Sequence, residues 1–261
     1  MKIICSDNIS WLKQQQDNSI DLIITSPPYN LQNKGGEFKI MSYKDDYENE
    51  EYEKMQIEFL NQCYRVLKPL GAMFYNHKNR YENCKVITPY QWILKTKFNI
   101  NQEIIWNRKS AVDFNRQRFC PLDEKVFWLY KEKTFITKKG ASCFTNIWEI
   151  NRPKPSENFG HNATFPHELI YRIINCLDVD YTQLTLLDPY LGTGTTLWVG
   201  KKFNFKEMYG IELQQKWCDI AKIKINTYLG YEEDIPIPKK KYDITRFKKQ
   251  PSLFDLLEEG E

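Results

Sequence analysis

Two short stretches carry the residue types from which chemistry could be built. The first, Asp21-Leu22-Ile23-Ile24-Thr25-Ser26-Pro27-Pro28-Tyr29-Asn30, is an apolar run that stops at a double proline and then offers an aromatic ring. Successive prolines fix φ and hold the chain extended. Such a turn can aim the Ser26 hydroxyl and the Pro27 carbonyl at one amino group, with Tyr29 as a face for a planar base. Two acceptors on the N–H bonds of an aromatic amine localise its lone pair and orient it for attack, which is what an amino-group nucleophile requires.

The second stretch, Asp188-Pro189-Tyr190-Leu191-Gly192-Thr193-Gly194-Thr195-Thr196, follows the apolar run Leu184 to Leu187 and precedes a helical pattern. Its glycines fall where the chain must turn tightly beside a ligand. Glu212 closes the next apolar run, eighteen residues beyond Gly194, which suits a carboxylate accepting hydrogen bonds from two ribose hydroxyls. Together these residues describe a nucleoside site. A phosphate-gripping loop needs Lys and then Ser or Thr after the last glycine, and Thr195-Thr196 stand there instead. A dinucleotide fingerprint asks for a third small residue where Leu197 stands, and Asp188 would repel a pyrophosphate while pairing with the ammonium of a methionine moiety. The histidines, His77, His161 and His167, are not needed for this chemistry.

The elements that must position these motifs alternate. Lys2 to Cys5, Leu22 to Thr25, Ala72 to Tyr75, Gln102 to Trp106, Lys125 to Tyr130, Leu184 to Leu187 and Met208 to Ile211 read as strands. Tyr52 to Leu67, Pro166 to Leu177, Thr195 to Lys202 and Trp217 to Tyr228 read as helices, with a helical turn near Ile9 to Lys13. The pattern predicts an α/β fold with a doubly wound, mostly parallel sheet that binds its ligand at the carboxyl ends of the strands. Lys131 to Ala163 shows no sustained period and reads as an insertion, and residues 231–261 form a charged tail.

With 261 residues, 41% hydrophobic and 15% aromatic, the chain suits one elaborated domain. No apolar run approaches the about 20 residues of a membrane span, and Met1 to Ser10 lacks a secretory pattern, so a cytoplasmic protein is expected. The seven cysteines are scattered without ligand spacing and read as reduced packing residues, and no metal is expected. A net charge of +3 neither demands nor excludes a polyanionic partner, so its distribution matters. Arg108, Lys109, Arg116 and Arg118 cluster around one acid, Asp113, and read as a phosphate-facing loop. Gly35-Gly36 is either a plain hairpin turn or the hinge of a loop that closes over a base. Trp106 and Phe114 could assist Tyr29 or simply fill the core.

Thr25 to Asn30 and Asp188 to Thr196 resemble the catalytic and cofactor motifs of bacterial DNA amino-methyltransferases. The catalytic motif precedes the cofactor motif, similar to the circularly permuted beta group, and the likeness runs from Lys2 to about Tyr228. Ser6-Asp7-Asn8 resembles the motif that contacts the cofactor's adenine, and Tyr64 to Pro69 resembles the family's helix end. Gly160 to Leu169 is similar to the segment that closes over the cofactor, with Ala163, Phe165 and Pro166 matching and Asn162 replacing a proline.

The resemblance implies a methyltransferase fold of Rossmann-like type with a target-recognition insertion at about 107–160, and S-adenosylmethionine as cofactor. It implies a catalytic set of Ser26, Pro27, Pro28 and Tyr29. The cofactor set would be Asp7, Asn8, Thr25, Ala163, Thr164, Phe165, Asp188, Tyr190, Gly192, Gly194, Thr195, Thr196 and Glu212. Asn30 and the four basic residues would contact duplex DNA, whose target base would be flipped out of the stack. Ser26, where adenine-modifying members usually carry Asp, implies N4 of cytosine, with N6 of adenine as the rival and a silent DNA-binding subunit as the rival of another class. A homodimer and a companion restriction endonuclease are further expectations of the likeness. Gln250 to Phe254 resembles a sliding-clamp docking peptide, or is an apolar tail that packs on its own domain.

Overall fold

The computed structural model describes residues 1–31, 45–110, 118–141, 144–153, 159 and 164–227. The elements are β1 (Lys2–Cys5), α1 (Asn8–Lys13), β2 (Ile20–Thr25), α2 (Asn49–Val66), β3 (Leu67–His77), β4 (Arg80–Glu82), β5 (Lys85–Ile87), α3 (Tyr90–Ile93), β6 (Asn99–Asn107), β7 (Asp123–Tyr130) and β8 (Ile147–Glu149). They continue with α4 (His167–Cys176), β9 (Thr185–Asp188), α5 (Thr195–Lys202), β10 (Glu207–Glu212) and α6 (Gln215–Thr227).

Eight strands form one sheet in the order β1-β10-β9-β2-β3-β7-β6-β8. Pairing is parallel except where β7 runs antiparallel to both β3 and β6. All six residues of β2 and all four of β9 are buried, as expected of central strands covered on both faces. Leu22 and Ile24 point into one apolar layer with α4 and α5, while Ile23 points into the other with α1 and α2. This is the doubly wound, permuted fold expected from the sequence: the strand that leads to Asp188 lies beside the strand that leads to Ser26, with Leu22 opposite Leu186 and Ile23 opposite Leu187.

Polar side chains fix how the layers meet. Asp21, 7% exposed, takes both carboxylate oxygens to Lys68 Nζ at 2.8 Å and also accepts the Thr185 N–H, tying β2 to β3 and β9. Arg65 donates to the carbonyls of Leu12 and Gln15, closing the C-terminal end of α1. The Tyr64 to Pro69 sequence thus serves as a clamp between α1, α2 and the sheet.

Two boundaries differ from the sequence reading. Lys68-Pro69-Leu70-Gly71, which falls between the predicted helix ending at Leu67 and the predicted strand starting at Ala72, belongs to β3, because strand pairing with β2 starts at Leu67. Within the stretch read as lacking structure, Ile147–Glu149 pairs with β6 as the edge strand of the central sheet. A three-residue strand is too short to show a period. The predicted helix through Tyr228 is described as far as Thr227, and Gly35-Gly36, Phe114, His161 and Gln250 to Phe254 lie outside the described residues. No helix among the described residues is long and apolar enough to cross a membrane.

Candidate active site

The carboxyl ends of β2, β9, β10 and β1 open onto one cavity of about 850 Å³, lined by residues of both motifs. The side where β9 and β10 end carries the residues expected to meet a nucleoside. After β9 the chain turns through Gly192 (φ 51°) and Gly194 (φ 82°). Both need the left-handed region that glycine enters without cost. Gly194 has a further reason: a Cβ there would stand 2.9 Å from the Ala221 Cβ, so the residue lets α5 start against α6 rather than lining the cavity. Thr195 lines the cavity and accepts from the buried Lys224 Nζ at 2.8 Å, whereas Thr196 is fully buried behind it.

Asp188 is completely buried. Its Oδ1 accepts from the Thr25 hydroxyl (2.8 Å) and the Tyr190 N–H (3.1 Å), and the Thr196 hydroxyl also bears on the carboxylate, although no well-aligned bond to Oδ2 forms. Burial raises its carboxyl to about 6, against the pull of the Thr196 and Thr25 hydroxyls and the Tyr190 N–H. The residue is not among those lining the cavity, so it would act on a cation there through its charge, from behind the Pro189 to Gly192 wall. The Thr25 bond also joins the two sequence motifs directly across 163 residues.

Glu212 lines the cavity with its oxygens held by the N–H groups of Gly192 and Gln214, both at 3.0 Å. Burial pushes its carboxyl up, and the two N–H donors oppose this. Each oxygen keeps a lone pair for a hydroxyl donor. Asp7 caps α1 by accepting the Ser10 N–H, and Asn8 donates to the Pro189 carbonyl, so Ser6-Asp7-Asn8 forms a second wall of the same cavity. Tyr190, Thr164 and Phe165 complete the lining, while Ala163 lies outside the described residues.

The β2 half holds the turn expected to be catalytic. Ser26, Pro27, Pro28 and Tyr29 all line the cavity. The Pro28 carbonyl is taken by the Tyr52 hydroxyl, whereas the Pro27 carbonyl accepts no hydrogen bond from the described residues. The Tyr52 hydroxyl also meets His77 Nε2 at 2.7 Å, and His77 Nδ1 accepts the Lys78 N–H. Burial therefore keeps His77 neutral, lowering it to about 3, and its ring packs on Tyr29 at 4.7 Å between centroids. This histidine supports the turn without facing the cavity.

Three side chains that the sequence reading passed over join Ser26 and Tyr29. The Tyr29 hydroxyl lies 2.8 Å from both Ser26 Oγ and Glu124 Oε2, and Asn76 Nδ2 reaches it at 2.6 Å. Lys78 places Nζ 5.9 Å from the Tyr29 ring centroid. Burial first, and the Glu124 charge second, hold the Tyr29 hydroxyl well above its usual value, so it stays protonated. Asn76 sits in an apolar, buried strand run, where its polarity was the one signal, whereas Glu124 lies between Asp123 and Lys125 and looks like one more surface charge.

The residues expected to face DNA separate. Asn30 is fully buried at φ 56°, with its side chain bonded to the Tyr47 N–H and carbonyl, so it closes a loop instead of contacting a base. Its short amide is one of the few non-glycine side chains suited to that backbone. Arg108 is 8% exposed, paired with Glu124 at 3.2 Å and bonded to the Pro121 and Leu122 carbonyls; it is a buried strut and not a surface phosphate contact. Lys109 is exposed, 3.7 Å from Glu149, and Arg118 lies over the Tyr81 ring at 4.9 Å. Arg116 lies outside the described residues.

The family model for DNA methylases of the N6/N4 type matches residues 20–223. This chain belongs to that family. Among its curated relatives, the type II methyltransferase M.BglII of Bacillus subtilis is 29% identical over 254 residues, covering 84% of this chain and 67% of the relative. The type II methyltransferase M.HinfI of Haemophilus influenzae is 29% identical over 264 residues, covering 90% and 71%. The fold is similar to that of PvuII DNA methyltransferase (cytosine-N4-specific), with a TM-score of 0.72 at 18% identity over 89% of this chain and 88% of that one. It is also similar to M1.HpyAVI in its complex with SAM, with a TM-score of 0.61 at 18% identity over 86% and 98%. The chain is accordingly a DNA amino-methyltransferase by family, and residues of both sequence motifs line one cavity.

Proposed function

We propose that this DNA methylase transfers a methyl group from S-adenosylmethionine to the exocyclic N4 of cytosine in duplex DNA. The observation that carries this reading is that Ser26 and Pro27 line the same cavity as Glu212, with the buried Asp188 next to Pro189 of its wall. The residues fit the cofactor: Glu212 has lone pairs for ribose hydroxyls, Asn8 and Phe165 border the remaining space, and the buried Asp188 puts negative charge behind the Pro189 to Gly192 wall, where it would favour an ammonium. When bound, that cofactor supplies a methyl group already activated on a sulfonium sulfur.

The protein's own part is orientation. Ser26 Oγ and the Pro27 carbonyl accept the two N–H bonds of the target amine, so its lone pair lies out of the ring plane and toward the nucleoside half. Tyr29 supplies an aromatic wall, backed by His77, against which an extruded base can lie. No side chain has to remove a proton before attack, because the nitrogen becomes acidic only after gaining the methyl group. Ser26 supports cytosine, as does the likeness to the cytosine-N4-specific PvuII enzyme.

The sites named from the sequence belong to this proposal, with Asn30 and Arg108 reassigned to support of the turn. The permuted catalytic domain would span 1–230, with Lys109 and Arg118 at the edge of a target-recognition region that shares β7 and β8 with the sheet. A companion restriction endonuclease would accompany an enzyme of this kind, as its relatives are type II methyltransferases. The test is to incubate the protein with methyl-labelled S-adenosylmethionine and unmethylated duplex DNA, digest to nucleosides and identify the labelled species. N4-methyldeoxycytidine is expected; N6-methyldeoxyadenosine would overturn the choice of base, and no labelled nucleoside would overturn the activity.

A further inference from the structure

The geometry points to Glu124 as a positioning residue that sets the direction of the hydrogen bonds in the catalytic turn, so that Ser26 presents lone pairs and not its hydrogen to the target amine. The inference rests on the reading that Ser26 contacts that amine.

It follows from counting hydrogens. Glu124 is 7% exposed and ion-paired through Oε1 with Arg108, so its Oε2 only accepts. The Tyr29 hydroxyl has one hydrogen, and at 2.8 Å from Oε2 a charged acceptor claims it. Ser26 Oγ also lies 2.8 Å from the same phenolic oxygen, and two oxygens that close need a hydrogen between them. With the phenol's own hydrogen spent on Glu124, Ser26 must be the donor. Its hydrogen is thereby committed to the phenol, and the Oγ lone pairs are left for the target amine.

Asn76 corroborates the direction. Its Nδ2 lies 2.6 Å from Tyr29 Oη, 3.1 Å from Glu124 Oε2 and 3.3 Å from Ser26 Oγ, which are donor positions toward three acceptors. The reversed amide would set its oxygen against the Glu124 carboxylate. Asn76 Oδ1 is left buried with no partner among the described residues, a cost the site bears in order to keep the donor side toward the network. Arg108 holds the carboxylate still, because its remaining nitrogens are spent on the Pro121 and Leu122 carbonyls.

The direction matters for methyl transfer. A serine hydrogen aimed at the amine would compete for the lone pair that must attack, whereas an Oγ lone pair binds the N–H and leaves the nitrogen free. Glu124→Gln keeps the shape but cannot satisfy both sides. Its amide group must face either the Arg108 guanidinium or the Tyr29–Asn76 donors, and the second arrangement reverses the chain.

The test measures single-turnover methyl transfer with cofactor and DNA both saturating. Glu124→Gln is expected to slow transfer about 100-fold, the scale of a lost oriented hydrogen bond at a reacting centre. Cofactor and DNA dissociation constants should stay within about twofold, so the effect falls on kcat and not KM. Tyr29→Phe cuts the link while keeping the ring, and should lose about as much. In the Tyr29→Phe background, Glu124→Gln should then add nothing. Equal losses in both backgrounds would assign Glu124 a purely structural role and overturn the inference. A full rate in Tyr29→Phe would overturn it whether or not the Glu124 variant folds. Should Ser26→Ala transfer methyl at the wild-type rate, the underlying reading of Ser26 fails first.

Discussion

Asp188→Asn should make the ligand-free protein more stable while abolishing its response to cofactor. The buried carboxyl titrates at about 6, against an ordinary 3.8. A raised carboxyl binds its proton more tightly in the folded state, so its stabilising contribution is present below the unfolded value and is lost as pH rises through about 6. At pH 7 to 8 the folded protein therefore carries an ionised group at a cost of about 3 kcal/mol, and at pH 5 about half of that. Asparagine keeps an oxygen for the Thr25 hydroxyl and the Tyr190 N–H, so little is lost in exchange. For a chain of this size the gain at pH 8 corresponds to an upward shift in Tm of about 6–12 °C. Urea unfolding at pH 8 and pH 5 measures the gap between variant and wild type, and repeating it with S-adenosylmethionine measures linkage to binding. A gap that does not shrink on acidification, or a variant that the cofactor stabilises as strongly as wild type, would refute the reasoning.

Gly194→Ala meets both a left-handed backbone and the Ala221 Cβ at 2.9 Å, and should lose about 2–4 kcal/mol in denaturant unfolding. His77, lowered to about 3 by burial, binds its proton more weakly in the folded state, so it withdraws stability as pH falls from 6.5 toward 3. His77→Gln should accordingly lose about 2 kcal/mol less than wild type between pH 7 and pH 5, compared by urea unfolding. Arg108→Met leaves Glu124 buried without its cation and should cost about 3–5 kcal/mol of stability, with the salt dependence of DNA binding unchanged. Lys109→Ala, at an exposed position, should instead reduce the slope of log affinity against log salt by about one while sparing stability.

The central strands were legible because burial on both faces leaves an unbroken apolar run, as in Leu22 to Thr25 and Leu184 to Leu187. α4 was legible because Leu169, Ile170, Ile173 and Ile174 recur at helical spacing. The nucleoside loop was legible because glycine is the cheapest way to hold a positive φ, and the catalytic turn because two prolines leave little else for the chain to do. What escaped is set by contacts across the sheet. Glu124 meets Tyr29 from 95 residues away, and Asn76 from 47, and no local pattern encodes either meeting. Arg108 looked like part of a basic surface because charge along the chain says nothing about which guanidinium is turned inward onto a carboxylate. Asn30 showed the same weakness: an amide beside an active turn reads as a contact until its hydrogen bonds to Tyr47 are seen.

The pairing of β2 with β9, and of β1 with β10, also has a consequence for biosynthesis. The ribosome delivers the turn with Ser26 and Tyr29 well before the shelf that carries Asp188 and Glu212. β1 waits for β10, which follows about 200 residues later. A nascent chain therefore holds its base-facing half without a methyl donor site, and an abandoned product cannot mark DNA. For the same reason, a protein cut between β8 and α4 yields two fragments that are each inert, and activity returns only when both parallel ladders re-form. That makes this junction the natural place at which to put methylation under the control of fragment association.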